Sequence, residues 1–205
     1  MVITCTGHSG FLIETERYNF IFDYFSDKNK IIAPEIFKNK KTCVFVSHSH
    51  HDHFNKKIFS WSGFGDVTYV LDSGCAAPER IKKIMVAENH DYDAYENIKI
   101  KTYGSTDAGV SFYVSAEGRA FFHAGDLNDW YWEEKSTPQE LIDDEEYYLR
   151  ILRQIAGDKL KIDVAFVPED ARLKQHAGRG IKFFGEIVAP KRIIPMHFAG
   201  NEGVK

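Results

Sequence analysis

Residues 42–53 read Thr-Cys-Val-Phe-Val-Ser-His-Ser-His-His-Asp-His. The first half is a continuous apolar run, the pattern of a strand buried on both faces. The second half packs four histidines and one aspartate into the six residues from His48 to His53. Imidazole and carboxylate are the ligands that hold zinc, manganese or iron at neutral pH. Residues two apart at the end of a strand share a side, so His48 and His50 can chelate one ion. Asp52 and His53 lie one step on, in the turn that follows, and can reach a second ion. A solvated loop or an affinity-tag remnant does not fit a mid-chain segment that follows directly on a buried strand.

Working outward, two more apolar runs end in residues of the same chemistry. Residues 121–126 read Phe-Phe-His-Ala-Gly-Asp and residues 193–197 read Ile-Ile-Pro-Met-His, which puts Asp126 and His197 at strand ends. Strand ends are where ligands collect on sheet folds. Together with the His-rich segment these two residues complete a dinuclear ligand set. Further strands are expected over 2–6, 11–15, 18–24, 67–71, 98–103, 110–115, 119–123, 164–167 and 192–195, with a hairpin turn at 116–118. The strongest helical pattern covers 138–156. Thr137 is its N-cap, Pro138 its first residue and Glu140 the capping-box acid, and Gly157 stops it. Its apolar stripe is Leu141, Tyr148, Leu149, Leu152 and Ile155, and a second helix is expected over 181–188. Strands first, then helices interleaved with strands, predict a layered sandwich of helices and sheets.

The chain has 205 residues, which at about 150 residues per domain predicts one domain over 1–205. Hydrophobic residues make up 43% and aromatics 14%, enough to rule out a disordered chain. The 26 Lys+Arg against 30 Asp+Glu leave a net charge of −4, so no basic field is available to hold a nucleic-acid backbone. The N-terminus lacks a basic segment followed by an apolar one, and no apolar run approaches the roughly 20 residues that span a bilayer. The expectation is a cytoplasmic protein without membrane or nucleic-acid partners. Cys5, Cys43 and Cys75 are odd in number and form no CxxC pair, which fits buried thiols in a reducing compartment. Nothing in the sequence sets an oligomeric state.

The order His-x-His-x-Asp-His, Gly-Asp, Pro-Met-His resembles the metallo-β-lactamase superfamily. The segments GHSGFLIE, FDYF, HAGDLN and PMHF are similar to those of a subgroup of metal-dependent hydrolases related to L-ascorbate-6-phosphate lactonase. The resemblance runs over nearly the whole chain. It implies an α+β fold, a four-layer αββα sandwich with one or two metals at one edge. It also implies that His48 and His50 serve the first metal and that Asp52, His53 and His197 serve the second, with Asp126 bridging. One departure stands out. The family draws a third histidine for the first metal from a loop that here reads Thr-Tyr-Gly-Ser-Thr-Asp-Ala-Gly over 102–109. Asp107 is the one strong ligand in that loop and the candidate replacement.

The implied cofactor is a divalent metal, two ions, with zinc favoured over manganese or iron. The implied activity is hydrolysis of a small ester, lactone or phosphoester by a metal-activated hydroxide. Asp52 is the candidate to orient that hydroxide or take its proton. His123 is the candidate leaving-group acid, provided that it faces the cleft; it stands three residues before Asp126, and a regular strand would turn the two apart. Asp170 and Arg172 match a Pro-x-Asp-x-Arg segment of the subgroup, and Arg172 is the candidate clamp for a small anionic substrate. His8 stands either beside the metals or in a structural hydrogen bond. Asp23 is a candidate partner for a ligand histidine. Trp130, Tyr131 and Trp132 are candidates for the pocket wall, and His51, His90 and His176 are read as surface or core residues. Two other functions stay open: a mononuclear iron dioxygenase, and a non-catalytic domain stabilised by its metal.

Overall fold

Twelve strands sort into two six-stranded sheets in the computed structural model, which describes residues 1–198. The first sheet runs in chain order: β1 (Val2–Gly7), β2 (Gly10–Glu14), β3 (Tyr18–Phe22), β4 (Lys41–Val46), β5 (Val67–Asp72) and β6 (Lys83–Val86). Its first three strands are antiparallel, and β3 to β6 are parallel. The second sheet opens as an antiparallel meander of β7 (Asp91–Ala94), β8 (Ile98–Tyr103), β9 (Ser111–Ala116) and β10 (Arg119–His123). Two parallel strands, β11 (Val164–Pro168) and β12 (Ile193–Met196), extend it beyond β10.

Strand alternation divides the apolar residues between two cores. Phe20, Phe22, Cys43, Phe45 and Val70 point towards the second sheet and meet Phe112, Phe121 and Phe166. Ile21, Val44, Val46, Tyr69 and Leu71 point the other way. That is why residues 42–46 read as an unbroken apolar run: both faces are covered. Each buried Phe or Leu of this kind contributes roughly 1.5–3 kcal/mol. The outer face of the second sheet is covered by α1 (Pro138–Gly157) and α2 (Arg179–Ile187), through Tyr148, Leu152, Ile155 and Phe184. The outer face of the first sheet is covered by two 3-10 helices, Pro34–Phe37 and Lys56–Gly63, which supply Phe37, Ile58 and Trp61. The four layers expected from the resemblance are therefore present, with one outer layer built of 3-10 rather than α-helical turns.

Helix α1 begins with the expected capping box. Thr137 accepts from the Glu140 backbone N–H, and the Glu140 carboxylate accepts from the Thr137 N–H at 2.7 Å. Two short strands, β6 and β7, lie outside the sequence expectation. The cysteines are all free, and Cys5 is exposed rather than buried. No helix among the described residues is long and apolar enough to cross a membrane.

Parallel pairing brings the C-terminal ends of β3, β4 and β5 to one edge of the first sheet. The β1–β2 turn arrives at that edge as well, because β2 runs antiparallel to β3. In the second sheet the ends of β10, β11 and β12, and the loop over 104–110 between β8 and β9, lie at the matching edge. The two edges are seamed together there. Val110 N–H donates to the Ser47 carbonyl at 3.0 Å. Gly109 sits at φ +67°, where a Cβ would come within 2.0 Å of the Ser47 oxygen and 2.5 Å of His48 Cβ. Only glycine fits this approach.

Candidate metal centre

Each side chain of the centre leaves a strand end or a turn at this seam. The segment after β4 delivers His48, His50, Asp52 and His53. Asp126 follows β10, His197 follows β12, Asp107 comes from the loop over 104–110, and His8 comes from the β1–β2 turn.

Asp126 stands between two sets of donors. Its Oδ1 lies 3.0 Å from His53 Nε2 and 3.3 Å from His197 Nε2. Its Oδ2 lies 3.3 Å from His48 Nε2 and 4.0 Å from His50 Nδ1. Asp107 Oδ2 stands 4.0 Å from the same His50 nitrogen. Among the described residues, three groups place their donor atoms within 4.8 Å of one another: His8, Asp52, His53 and His197; His48, His53 and Asp126; His50, Asp107 and Asp126.

The opposite nitrogens of three of these histidines are held by oxygens. His53 Nδ1 is 2.8 Å from Asp23 Oδ2, His48 Nδ1 is 2.9 Å from Ser47 Oγ, and His197 Nδ1 is 3.0 Å from Asp170 Oδ2. Asp23 also accepts from the Ser47 backbone N–H at 2.7 Å and from its hydroxyl at 2.6 Å. Such contacts fix the tautomer and ring orientation and leave Nε2 for a ligand. The Nε2 atoms of His48 and His53 and Oδ1 of Asp126 are buried with no hydrogen-bond partner. Each unpaired buried polar atom costs about 1–3 kcal/mol. Three that converge, all nitrogen or carboxylate donors, fit a metal cation.

Electrostatics match that chemistry. Burial opposes a charge on the His53 ring, but the Asp126 carboxylate 3.0 Å away and the hydrogen bond to Asp23 outweigh it and lift the imidazole to about 10 with protein groups alone. Burial pushes the Asp126 carboxyl up, yet His48 and His53 hold it well below the usual carboxylate range. The His8 contact holds Asp52 low against its own partial burial.

A cleft of about 520 Å³ opens onto the centre. Its lining includes His50, Asp52, Asp107 and Asp126 together with Trp130, Trp132 and Arg172. Trp130 and Trp132 stack with centroids 6.0 Å apart, and the Trp130 indole N–H donates to the Asp126 carbonyl at 3.0 Å. Tyr131, between them, turns away onto Arg179 and His176 and does not line the cleft. His51 lies at the cleft's mouth. Arg172 lines the cleft while its Nε bonds both oxygens of Asp170, at 2.9 and 2.8 Å.

His123 is a correction. It is fully buried, stacked 5.0 Å from Phe22, with Nε2 2.9 Å from the Ser9 carbonyl and Nδ1 accepting from the Gly125 N–H at 3.2 Å. Strand β10 runs through it in regular register against Phe166, so no bulge turns it to the cleft. Sequence reasoning missed Ser47, whose hydroxyl joins Asp23 to His48. Its place directly before His48 was the one hint, and it says nothing of where the hydroxyl points.

A family model described as "Beta-lactamase superfamily domain" matches residues 2–143. A UPF0173 metal-dependent hydrolase of Bacillus velezensis is 22% identical over 215 residues, covering 97% of this chain and 85% of that protein. Among solved structures, Igni18, a metallo hydrolase of the archaeon Ignicoccus hospitalis, superposes with a TM-score of 0.64 at 16% identity, covering 95% of this chain and 81% of that one. CmlA, a diiron beta-hydroxylase of Streptomyces venezuelae, superposes at 0.63 with 10% identity, covering 96% of this chain and 44% of that one. The structural likenesses carry the fold and not the reaction; the family match carries more. With its model matching well over half of the residues, this chain belongs to the beta-lactamase superfamily domain family.

Proposed function

We propose that this chain is a metal-dependent hydrolase, one domain over residues 1–205, acting on a small ester, lactone or phosphoester that bears an anionic group. The observation that carries the reading is Asp126, whose two oxygens face two separate donor sets. His48, His50, Asp107 and Asp126 Oδ2 would hold one divalent ion, and Asp52, His53, His197 and Asp126 Oδ1 the other. Zinc suits the mixed imidazole and carboxylate set best, with manganese or iron as competitors. A bound ion pair supplies Lewis acidity and brings the pKa of water from 15.7 towards about 7.

The chain's own residues do the rest. Asp52 stays ionised at neutral pH and lines the cleft, where it would orient the attacking water or accept its proton. Arg172 offers a planar cation to a carboxylate or phosphate on the substrate. Trp130 and Trp132 wall the cleft and limit water. The lactonase likeness in the sequence makes lactones the first substrates to try. A small-molecule substrate, rather than nucleic acid or membrane, suits the acidic chain, and we place it in the cytoplasm.

Elemental analysis of protein purified without added metal or chelator tests this reading. About two equivalents of zinc or manganese are expected, falling in His48→Ala and Asp126→Ala. A single iron would favour a dioxygenase, and no uptake on reconstitution would overturn the proposal.

A further inference from the structure

We propose that His8 is an additional protein ligand on the Asp126 Oδ1 side, an inference that rests on the two-ion reading above. His8 sits in the β1–β2 turn at φ +50°, a left-handed conformation that non-glycine residues rarely adopt. The turn is pinned on all sides. The β1–β2 register slips between Cys5 and Gly7, Gly7 lies at φ +136°, and a Cβ on Gly10 would come within 2.3 Å of Thr6 Oγ1. The His8 carbonyl accepts from the His197 N–H at 3.2 Å, so the strained residue is tied to a candidate ligand.

The imidazole then lies where a cation would need it. Its ring centroid is 4.2 Å from that of His197 and 5.4 Å from that of His53. Its Nε2 is buried, has no hydrogen-bond partner, and stands 3.4 Å from Asp52 Oδ2. A histidine serving only to brace Asp52 would spend this nitrogen on a hydrogen bond. Here it joins Asp52, His53 and His197 in one group of donor atoms. Backbone strain held against a functional centre is the usual setting for such a residue.

The consequence is asymmetry. The Oδ1 side gains His8 and closes with protein donors. The Oδ2 side keeps His50 and Asp107, each about half exposed, and opens to the cleft. A closed set holds its ion tightly, whereas an open one keeps a position for water.

The test is chelator competition on the zinc protein, with visible spectra of the cobalt-substituted form, for wild type, His8→Ala and His8→Asn. Asparagine tolerates the left-handed turn, so the metal-free His8→Asn protein is expected to melt no lower than metal-free wild type. The tighter equivalent is expected to weaken about 100-fold in both variants, at or beyond the upper end of what loss of a mere supporting contact costs. The cobalt bands should shift as a nitrogen donor is lost. Adding His8→Asn to Asp52→Asn should weaken binding further, which a residue acting only through Asp52 would not do. Unchanged affinity and spectrum, no added loss in the double variant, or a lower melt for metal-free His8→Asn would each overturn the role of His8. A wild-type protein that takes up no metal would overturn the hydrolase reading with it.

Discussion

An imidazole presents one nitrogen reliably to a cation only when the other is told which proton to carry. In this chain Asp23, Ser47 and Asp170 do so for His53, His48 and His197. The contribution of Asp23 was legible because it closes an apolar strand. That of Ser47 was not, since a serine in sequence carries no sign of where its hydroxyl points. The parity of β10 already set His123 and Asp126 on opposite sides, and the structure follows it without a bulge. Arg172 is the residue whose role is most open to measurement. Its guanidinium lies 5.6 Å from the Trp132 ring centroid at the cleft wall, and its Nε bonds the carboxylate that also holds His197. If Arg172 meets the substrate's anionic group, Arg172→Ala should raise KM about tenfold or more for a phosphate- or carboxylate-bearing substrate, the weight of a charged hydrogen bond. Metal content should not change. A loss of metal with KM unaltered would mean that Arg172 acts through Asp170 on His197.

At the scale of elements, what the sequence showed clearly were the strands whose two faces are both covered and the one helix with a complete cap. β4 and β11 read as apolar runs, and the Thr137–Glu140 box marked the start of α1. The short strands β6 and β7 escaped because Lys-Ile-Met-Val and Asp-Tyr-Asp-Ala, at four residues each, are too short to show a period. The 3-10 layer escaped because its apolar residues, Phe37, Ile58 and Trp61, are too sparse for a helical stripe. The loop over 104–110 could be singled out only by what it lacked, a histidine, and its position depends on Gly109. Replacing Gly109 with Ala sets a Cβ against the Ser47 carbonyl and forces a left-handed φ on alanine. The strain of about 1–2 kcal/mol or more corresponds to a melting temperature lower by at least about 2 °C, read by calorimetry. Because the same loop carries Asp107, the looser metal equivalent should weaken as well. A variant that melts as wild type does would show that the seam yields without cost.

At the scale of the whole molecule, the centre concentrates opposing charges inside a fold whose net charge is only −4. This makes the stability of the metal-free protein depend on pH from both directions. The carboxyls of Asp52, Asp126 and Asp170 are held well below their ordinary range by neighbouring histidines and Arg172. Their contribution is present above the unfolded value of about 3.9 and is lost as pH falls through the folded values. His53 works in the other sense. The Asp126 carboxylate and the hydrogen bond to Asp23 overcome burial and lift it to about 10, so its contribution is complete below about 6.5 and drains away as pH rises from there towards about 10. The metal-free protein should therefore melt highest between about pH 4 and 6.5 and progressively lower to about pH 9. Bound metal reverses the alkaline limb, because ligation requires a neutral His53 and releases its proton. The gap in melting temperature between zinc-saturated and chelator-treated protein should widen from about pH 6 to 9, and calorimetry across that range measures it. A metal-free curve that stays flat above pH 6.5 would mean that the two carboxylates flanking His53 do not retain its proton, and that the donors are already arranged for a cation before one arrives.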